Sequence, residues 1–382
     1  MIETGPIILD IALVLILAGT MGFFARKLGL PAILGYLFTG LLVSPFTPGY
    51  VTDAEQITLL ADIGVAILLF EVGIEINIRR ITNEQRALIW SPPLQVLIGL
   101  AGGTAILYYG FDVSIFGSLL VALSIAMSSS VVIVNITRSS RRTTNPETED
   151  ALLGWSIIQD LAGVATAGII LAIFQTNDEP IYSGILKLIG FGIVAIISAQ
   201  LMKFVLRQVR WEKDLFLIYS VAIGLILSGI GSVFFEIPVA LAAFVSGLVI
   251  NQNRDTEEVR KSLLPFRDLF AVFFFVVIGS LIKFSQFQEA IPYIIIFTIL
   301  IALLKTLPVF VLAKTTGIRA KPLQLGLGLS QIGEFSYVLG GLALARKEIT
   351  EVQFTALIFA LIISIVLSTL LVRSKKFAVQ KQ

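Results

Sequence analysis

Thirteen apolar runs, each long enough to cross a hydrocarbon core, follow one another through the 382 residues. They lie near 6–25, 31–49, 57–78, 88–109, 114–137, 151–174, 181–206, 215–233, 237–252, 263–284, 290–313, 321–345 and 352–372. A chain so patterned folds in lipid, where every backbone N–H and C=O must be bonded within its own segment, so the runs read as helices. Composition agrees. Only 14% of the residues are charged, against about a quarter in a soluble chain, and that is too little polar surface to cover a water-soluble globule. The first run has no basic segment before it and no small-x-small site after it, so it reads as a span and not as a cleaved signal peptide.

The basic residues set an orientation. On alternate loops, beginning after the first run, fall 23 of the 28 Lys and Arg, among them Arg79, Arg80, Arg86, Lys203, Arg207, Arg210 and Lys213. The opposite side holds Lys187, Lys283, Arg346 and Lys347, and Lys305 sits inside a run. By the positive-inside rule the N-terminus is outside and the C-terminus cytoplasmic, in what reads as a prokaryotic inner membrane. There are no cysteines and no histidines. Disulfides, thiolate metal sites and thiol switches are excluded, and any response to pH near neutrality must come from a carboxylate or a lysine.

The chain carries an internal repeat. Pro31 to Gly40 (Pro-Ala-Ile-Leu-Gly-Tyr-Leu-Phe-Thr-Gly) matches Pro238 to Gly247 at an offset of 207. Asp62 and Gly73 match Asp268 and Gly279 at 206, and Ser124–Ser128 matches Ser330–Glu334 at the same offset. Three matches in order at nearly one offset mark a duplication. Six spans return a unit to its starting side, so a lone seventh span makes the second unit inverted, an established transporter architecture. The expected organisation is one transmembrane domain over 1–376. It comprises a first repeat at 5–174, a linker helix at 181–209, a second repeat at 214–372 and a short basic tail at 373–382.

Polar groups inside spans mark function, because lipid tolerates them poorly. Ser128-Ser129-Ser130 lies mid-run, as does Ser330-Gln331-Ile332-Gly333-Glu334-Phe335-Ser336. Hydroxyls and glycine favour helix ends, so both spans are expected to break there and expose backbone groups; the alternative is that the serines bond back to the preceding turn of an unbroken helix. Gln159-Asp160 interrupts another apolar run, and the positions 206 later, Ile365 and Val366, are apolar. A carboxylate there can be neutralised by a proton or by a hard monovalent cation, so one residue can couple two ions; alternatively Asp160 only pairs with a lysine. Lys305 is the available counter-ion. Glu334 can balance the positive ends of half-helices or handle ions directly, while Glu71 and Glu75, the latter near Arg79, read as an interfacial charge network. No phosphate loop, metal-ligand cluster or catalytic triad appears, so the chain reads as a transporter and not an enzyme, with no cofactor and no nucleic-acid partner.

These residues resemble the monovalent cation:proton antiporter-2 family, most of all its Kef-type potassium efflux branch. The likeness rests on Pro31–Gly40, on Leu68-Leu-Phe-x-x-Gly-x-Glu75, on Ser128-Ser129 and Gln159-Asp160, and on Ser330-Gln-x-Gly-Glu334-Phe. It implies a thirteen-helix sodium/proton antiporter-like fold with crossed broken helices, a homodimer, and elevator-like movement of a core domain against a dimerisation domain. It also implies that Asp160 carries the monovalent cation and the proton, with Gln159, Ser128 and Ser129 nearby and Lys305, Glu334 and Glu75 as supporting charges. Sodium-exchanging relatives often have Asp-Asp or Asn-Asp where this chain has Gln-Asp, so potassium is favoured over sodium. Kef-type proteins often continue into a cytoplasmic nucleotide-binding domain, which the ten residues after the last run cannot hold; control would then come from a separate subunit or from a missing domain. A sodium/proton antiporter, a cation-coupled symporter of an organic anion, and a channel or membrane sensor remain as other readings.

Overall fold

The computed structural model describes residues 4–44, 54–75, 86–138, 142–174, 181–209, 211–250, 256–333 and 335–374, and all regular structure among them is helical. In chain order the helices are α1 (Thr4–Lys27), α2 (Ala32–Leu42), α3 (Ala54–Glu75), α4 (Ala87–Phe111), α5 (Ile115–Ala126), α6 (Ser130–Arg138), α7 (Pro146–Ile173) and α8 (Ile181–Val209). They continue with α9 (Lys213–Phe235), α10 (Val239–Ile250), α11 (Thr256–Ser280), α12 (Phe287–Ile301), a π-helical turn (Ala302–Thr306), α13 (Leu307–Thr315), α14 (Pro322–Gly328), α15 (Phe335–Ala345) and α16 (Glu351–Val372).

Nine helical segments among the described residues are long and apolar enough to cross a membrane, and three more of 10–17 residues are apolar but short. Length alone therefore does not reproduce a count of thirteen. One reason is physical: the run near 321–345 is divided between α14 and α15, neither of which spans by itself. The outward faces are apolar, as lipid requires; on α8, Ile189, Ile193, Ile197 and Leu201 are all more than half exposed. Mid-span hydroxyls are satisfied locally, since Ser124, Ser220, Ser228 and Ser246 each donate to the carbonyl four residues back at 2.6–2.7 Å.

The chain divides into two compact units, and each draws on both halves of the sequence. The first comprises Met1–Phe24, Gly35–Asn77 and Gly168–Leu281; the second comprises Ala25–Leu34, Ile78–Ala167 and Ile282–Gln382.

In the first unit α3 packs on α10 and α11. A Cβ on Gly40 of α2 would strike the Val276 carbonyl of α11, and one on Gly279 would strike the Leu37 carbonyl of α2. Gly73 of α3 and Gly247 of α10 meet in the same manner, through the Phe244 and Phe70 carbonyls. Gly40 and Gly247 are repeat partners, as are Gly73 and Gly279. The short helix of each repeat thus packs on the long helix of the other, which is the reciprocity a two-fold relation demands. Buried Glu71 accepts from Arg267 Nη1 at 3.0 Å. Arg267 counts by sequence with a basic loop, yet it lies inside α11 and also bonds Asp268 at 2.8 Å.

In the second unit α4 packs on α5 and on the π turn. Gly99 and Gly103 of α4 face Ala126 and Ala122 of α5, where any Cβ would be crowded, and Gly102 is seated against Leu304. These glycines let α4 approach the two elements that carry the polar centre. A core of Trp155, Leu152, Ile133, Val309, Leu325 and Leu329 locks α7, α6, α13 and the end of α14 together.

Candidate functional site

Two helices of the second unit are interrupted where the serine and glutamine clusters fall. α5 ends at Ala126 and α6 begins at Ser130, while α14 ends at Gly328 and α15 begins at Phe335. Met127 at the first break has extended backbone, φ −89° and ψ 144°. Each break leaves helix-end N–H and C=O groups that need partners in a dry interior. The partners are side chains placed for the purpose.

Gln159 of α7 accepts from Ser128 N at 3.0 Å and donates to the Ala126 carbonyl at 2.9 Å. Gln331 accepts from Ser129 N at 2.8 Å and donates to the Ser129 carbonyl at 3.1 Å. Ser128 Oγ donates to the Leu329 carbonyl at 2.8 Å, and Gly333 N donates to the Met127 carbonyl at 3.1 Å. Ser129 Oγ accepts from Val132 N at 3.3 Å, capping α6. The two breaks thus bond to each other directly. At Gly333 they touch backbone to backbone, since a Cβ there would lie 2.7 Å from the Ser128 carbonyl oxygen. Unlike Ser124 one turn earlier, Ser128 and Ser129 do not bond back along their own helix. The expectation of two broken spans holds, and the unbroken-helix alternative does not.

Lys305, carried on the π turn, is fully buried. Its Nζ donates to the carbonyls of Ile125 (3.1 Å), Met127 (2.6 Å) and Gln331 (2.7 Å). An ammonium has three N–H donors, and all three have acceptors here. The charge lies at the carbonyl end of α5, where the helix dipole is negative. A π turn carries one extra residue per turn and is frequent at functional sites. Asp160, at 3% exposure, acts electrostatically on the Lys305 ammonium. Lys305 is therefore more than a counter-ion to Asp160: its direct partners are the carbonyls that hold the breaks together.

The structure brings Gln159, Ser128, Ser129 and Lys305 into one bonded network, with Asp160 next to Gln159 on α7. Glu334, between the two halves of the second break, and the side chain of Glu75 lie outside the described residues. Two members were not singled out by sequence. Gln95 of α4 is fully buried, accepts from Gln159 Nε2 at 2.5 Å and donates to the Ala126 carbonyl at 3.3 Å. It fixes which end of the Gln159 amide faces Ser128. Its signal was an uncharged polar residue directly after Pro92-Pro93-Leu94 in an apolar run. Ser364 of α16 accepts from Ile332 N at 2.9 Å, doing for the second break what Gln159 does for the first. At the fixed offset the counterparts of Gln159 and Asp160 are Ile365 and Val366, both apolar.

A buried carboxylate in a lipid-embedded unit has to be neutralised by a proton, a cation or a fixed positive group. Asp160 has a fixed group in electrostatic reach whose hydrogen bonds are already committed elsewhere.

Comparisons with known proteins identify the family. Residues 12–373 match the family described as "Sodium/hydrogen exchanger, transmembrane". The chain is similar to the "Putative cation/proton antiporter YbaL" of Escherichia coli (strain K12), with 28% identity over 96% of this chain and 68% of the relative. In fold it is similar to the sodium proton antiporter MjNhaP1 from Methanocaldococcus jannaschii, at a TM-score of 0.74 with 19% identity, over 95% of this chain and 97% of that one. The chain belongs to the sodium/hydrogen exchanger family and is a multi-pass membrane cation/proton antiporter.

Proposed function

We propose that the protein exchanges potassium for a proton by alternating access, with Asp160 holding the proton and the cation in turn. The observation that carries this reading is a buried carboxylate beside two crossed helix breaks, whose lysine neighbour has spent its donors on backbone carbonyls. One titratable carboxylate exchanging one cation for one proton makes the cycle electroneutral.

The preference for potassium rests on the neutral Gln159 beside Asp160. A single carboxylate with carbonyl and amide neighbours is a weaker field than two carboxylates, and a weak field favours the cation that is easier to dehydrate. A homodimer in a prokaryotic inner membrane, with the N-terminus outside, completes the proposal; the basic residues on alternate loops support that orientation.

Purified protein in sealed vesicles carrying an internal pH indicator tests the selectivity. An imposed potassium gradient is expected to drive proton movement faster than an equal sodium gradient. Equal or faster movement with sodium would make the protein a sodium/proton antiporter. Cation uptake without counter-movement of protons would overturn antiport altogether.

A further inference from the structure

The half-helices of the second unit are also tied at their ends remote from the breaks, and α16 is the element that ties them. α6 runs from the first break to Arg138, and α14 runs from Pro322 to the second break. α16 holds the second break along its length: Ser364 accepts from Ile332 N at 2.9 Å, and Ser368 Oγ donates to the Leu327 carbonyl at 2.7 Å. At the last residue of α16 the Val372 carbonyl accepts from Gln324 Nε2 of α14 at 3.3 Å and from Thr143 Oγ1 at 2.7 Å. The next residue reaches the other half-helix. Arg373, the C-cap of α16, donates from Nη2 to the backbone carbonyl of Asn135 at 3.1 Å and to the Asn135 Oδ1 at 3.2 Å. Its Nη1 donates to the carbonyl of Gly29, in a turn whose left-handed backbone (φ 86°) favours glycine. A positive charge at the carbonyl end of α16 is favoured by the helix dipole, and a planar fork meets several acceptors at once where an ammonium would not.

We propose that Arg373 is a positioning residue for the exchange: through Asn135 it locks α6 to the helix that holds the second break, and so sets the spacing of the two breaks beside Asp160 without touching the ion. Asn135 lies five residues from Ser130, where α6 begins, and Gln324 lies five residues from Leu329. Each distance is about 8 Å along a helix, short enough for the half-helix to act as a rigid rod. A shift at the end of α16 therefore arrives at Ser129 and at Leu329. Without the guanidinium, α14 stays fixed to α16 through Gln324 and Ser368, while α6 loses this anchor at its far end. The crossing then loosens on the α6 side. Misplacement of an ion-holding group by about 1 Å is enough to cost a hundredfold in function. This inference rests on the reading of Asp160 and the breaks as the ion site, and is independent of which cation is carried.

Proton movement in vesicles is to be measured against the concentration of potassium chloride and of sodium chloride at constant ionic strength. Arg373→Gln should raise the cation KM on the order of tenfold, by more than it lowers kcat. Asn135→Ala removes the side-chain acceptor and leaves the backbone carbonyl, so alone it should raise KM about threefold. In the Arg373→Gln background it should change nothing further, because both substitutions cut the same tie. Arg346→Gln, which removes a guanidinium stacked 5.0 Å from the Phe116 ring, should keep the parental KM. The salt concentration giving half of the thermal stabilisation in detergent reads cation affinity without transport, and it should move with KM. A lower kcat with KM and the half-stabilising concentration at parental values would make Arg373 purely structural and overturn the proposal. Additive effects of the two substitutions would overturn it as well. Should Arg373→Gln fail to insert, Asn135→Ala decides alone, and a parental KM there would overturn the proposal. A parent protein stabilised by the cation but moving no protons would fail the exchange reading, while the shift in half-stabilising concentration still decides the role of Arg373.

Discussion

At the scale of single residues, Lys305 is the side chain on which most depends. It joins Ile125 and Met127 at the end of α5 to Gln331 in the second break. Replacing it with methionine removes the lysine donor from three buried carbonyls, leaving that of Met127 with Gly333 N alone, and takes from Asp160 its fixed positive neighbour. Removing one partner of a buried charged network destabilises by roughly 3–5 kcal/mol. Lys305→Met should therefore unfold in detergent well below the parent, and Lys305→Arg should not restore it, because a planar guanidinium cannot reproduce three ammonium bonds. Parental stability of Lys305→Met would remove the clamp role. Lys305 and Asp160 stood out in the sequence because a charge in an apolar run is conspicuous. Gln95 did not, because an uncharged amide in such a run carries no comparable penalty signal, and its importance comes from a partner 64 residues away.

At the scale of elements, the two breaks were readable from clusters of serine and glycine, residues that end helices more readily than they extend them. Their mutual bonding was not readable. Nothing local in the sequence says that Ser128 reaches Leu329 or that Gln331 brackets Ser129. The bond from Ile332 N to Ser364 was not readable either, since the two residues lie 32 positions apart. Gly333 is where this geometry is least forgiving. A methyl group there must push the Ser128 backbone aside, and overpacking of this kind costs about 1–3 kcal/mol. Gly341, on the same α15, has nothing within 4 Å of a Cβ. Gly333→Ala should lose most of its exchange in vesicles while Gly341→Ala keeps the parental rate. Equal rates in the two variants would mean that the crossing tolerates displacement.

At the scale of the whole molecule, the duplication was legible because glycine, proline and aspartate at fixed spacing stand out against apolar residues that are otherwise interchangeable. What the spacing could not convey is that both compact units draw on both halves of the sequence. That mixing follows from reciprocal packing, with Gly40 on Gly279 and Gly247 on Gly73. At Asp160 the two-fold relation is broken by a carboxylate, opposite apolar Val366. In the proposed cycle that carboxylate is the group that changes occupant between a proton and a cation. The most direct measurement is cation-driven proton movement by Asp160→Asn in sealed vesicles, over a range of pH and beside the parent protein. Asparagine keeps size and polarity but cannot ionise, so the variant is predicted to fold and insert as the parent does and to move no protons above protein-free vesicles at any pH. Proton movement by Asp160→Asn at a rate near that of the parent would contradict the role assigned to Asp160.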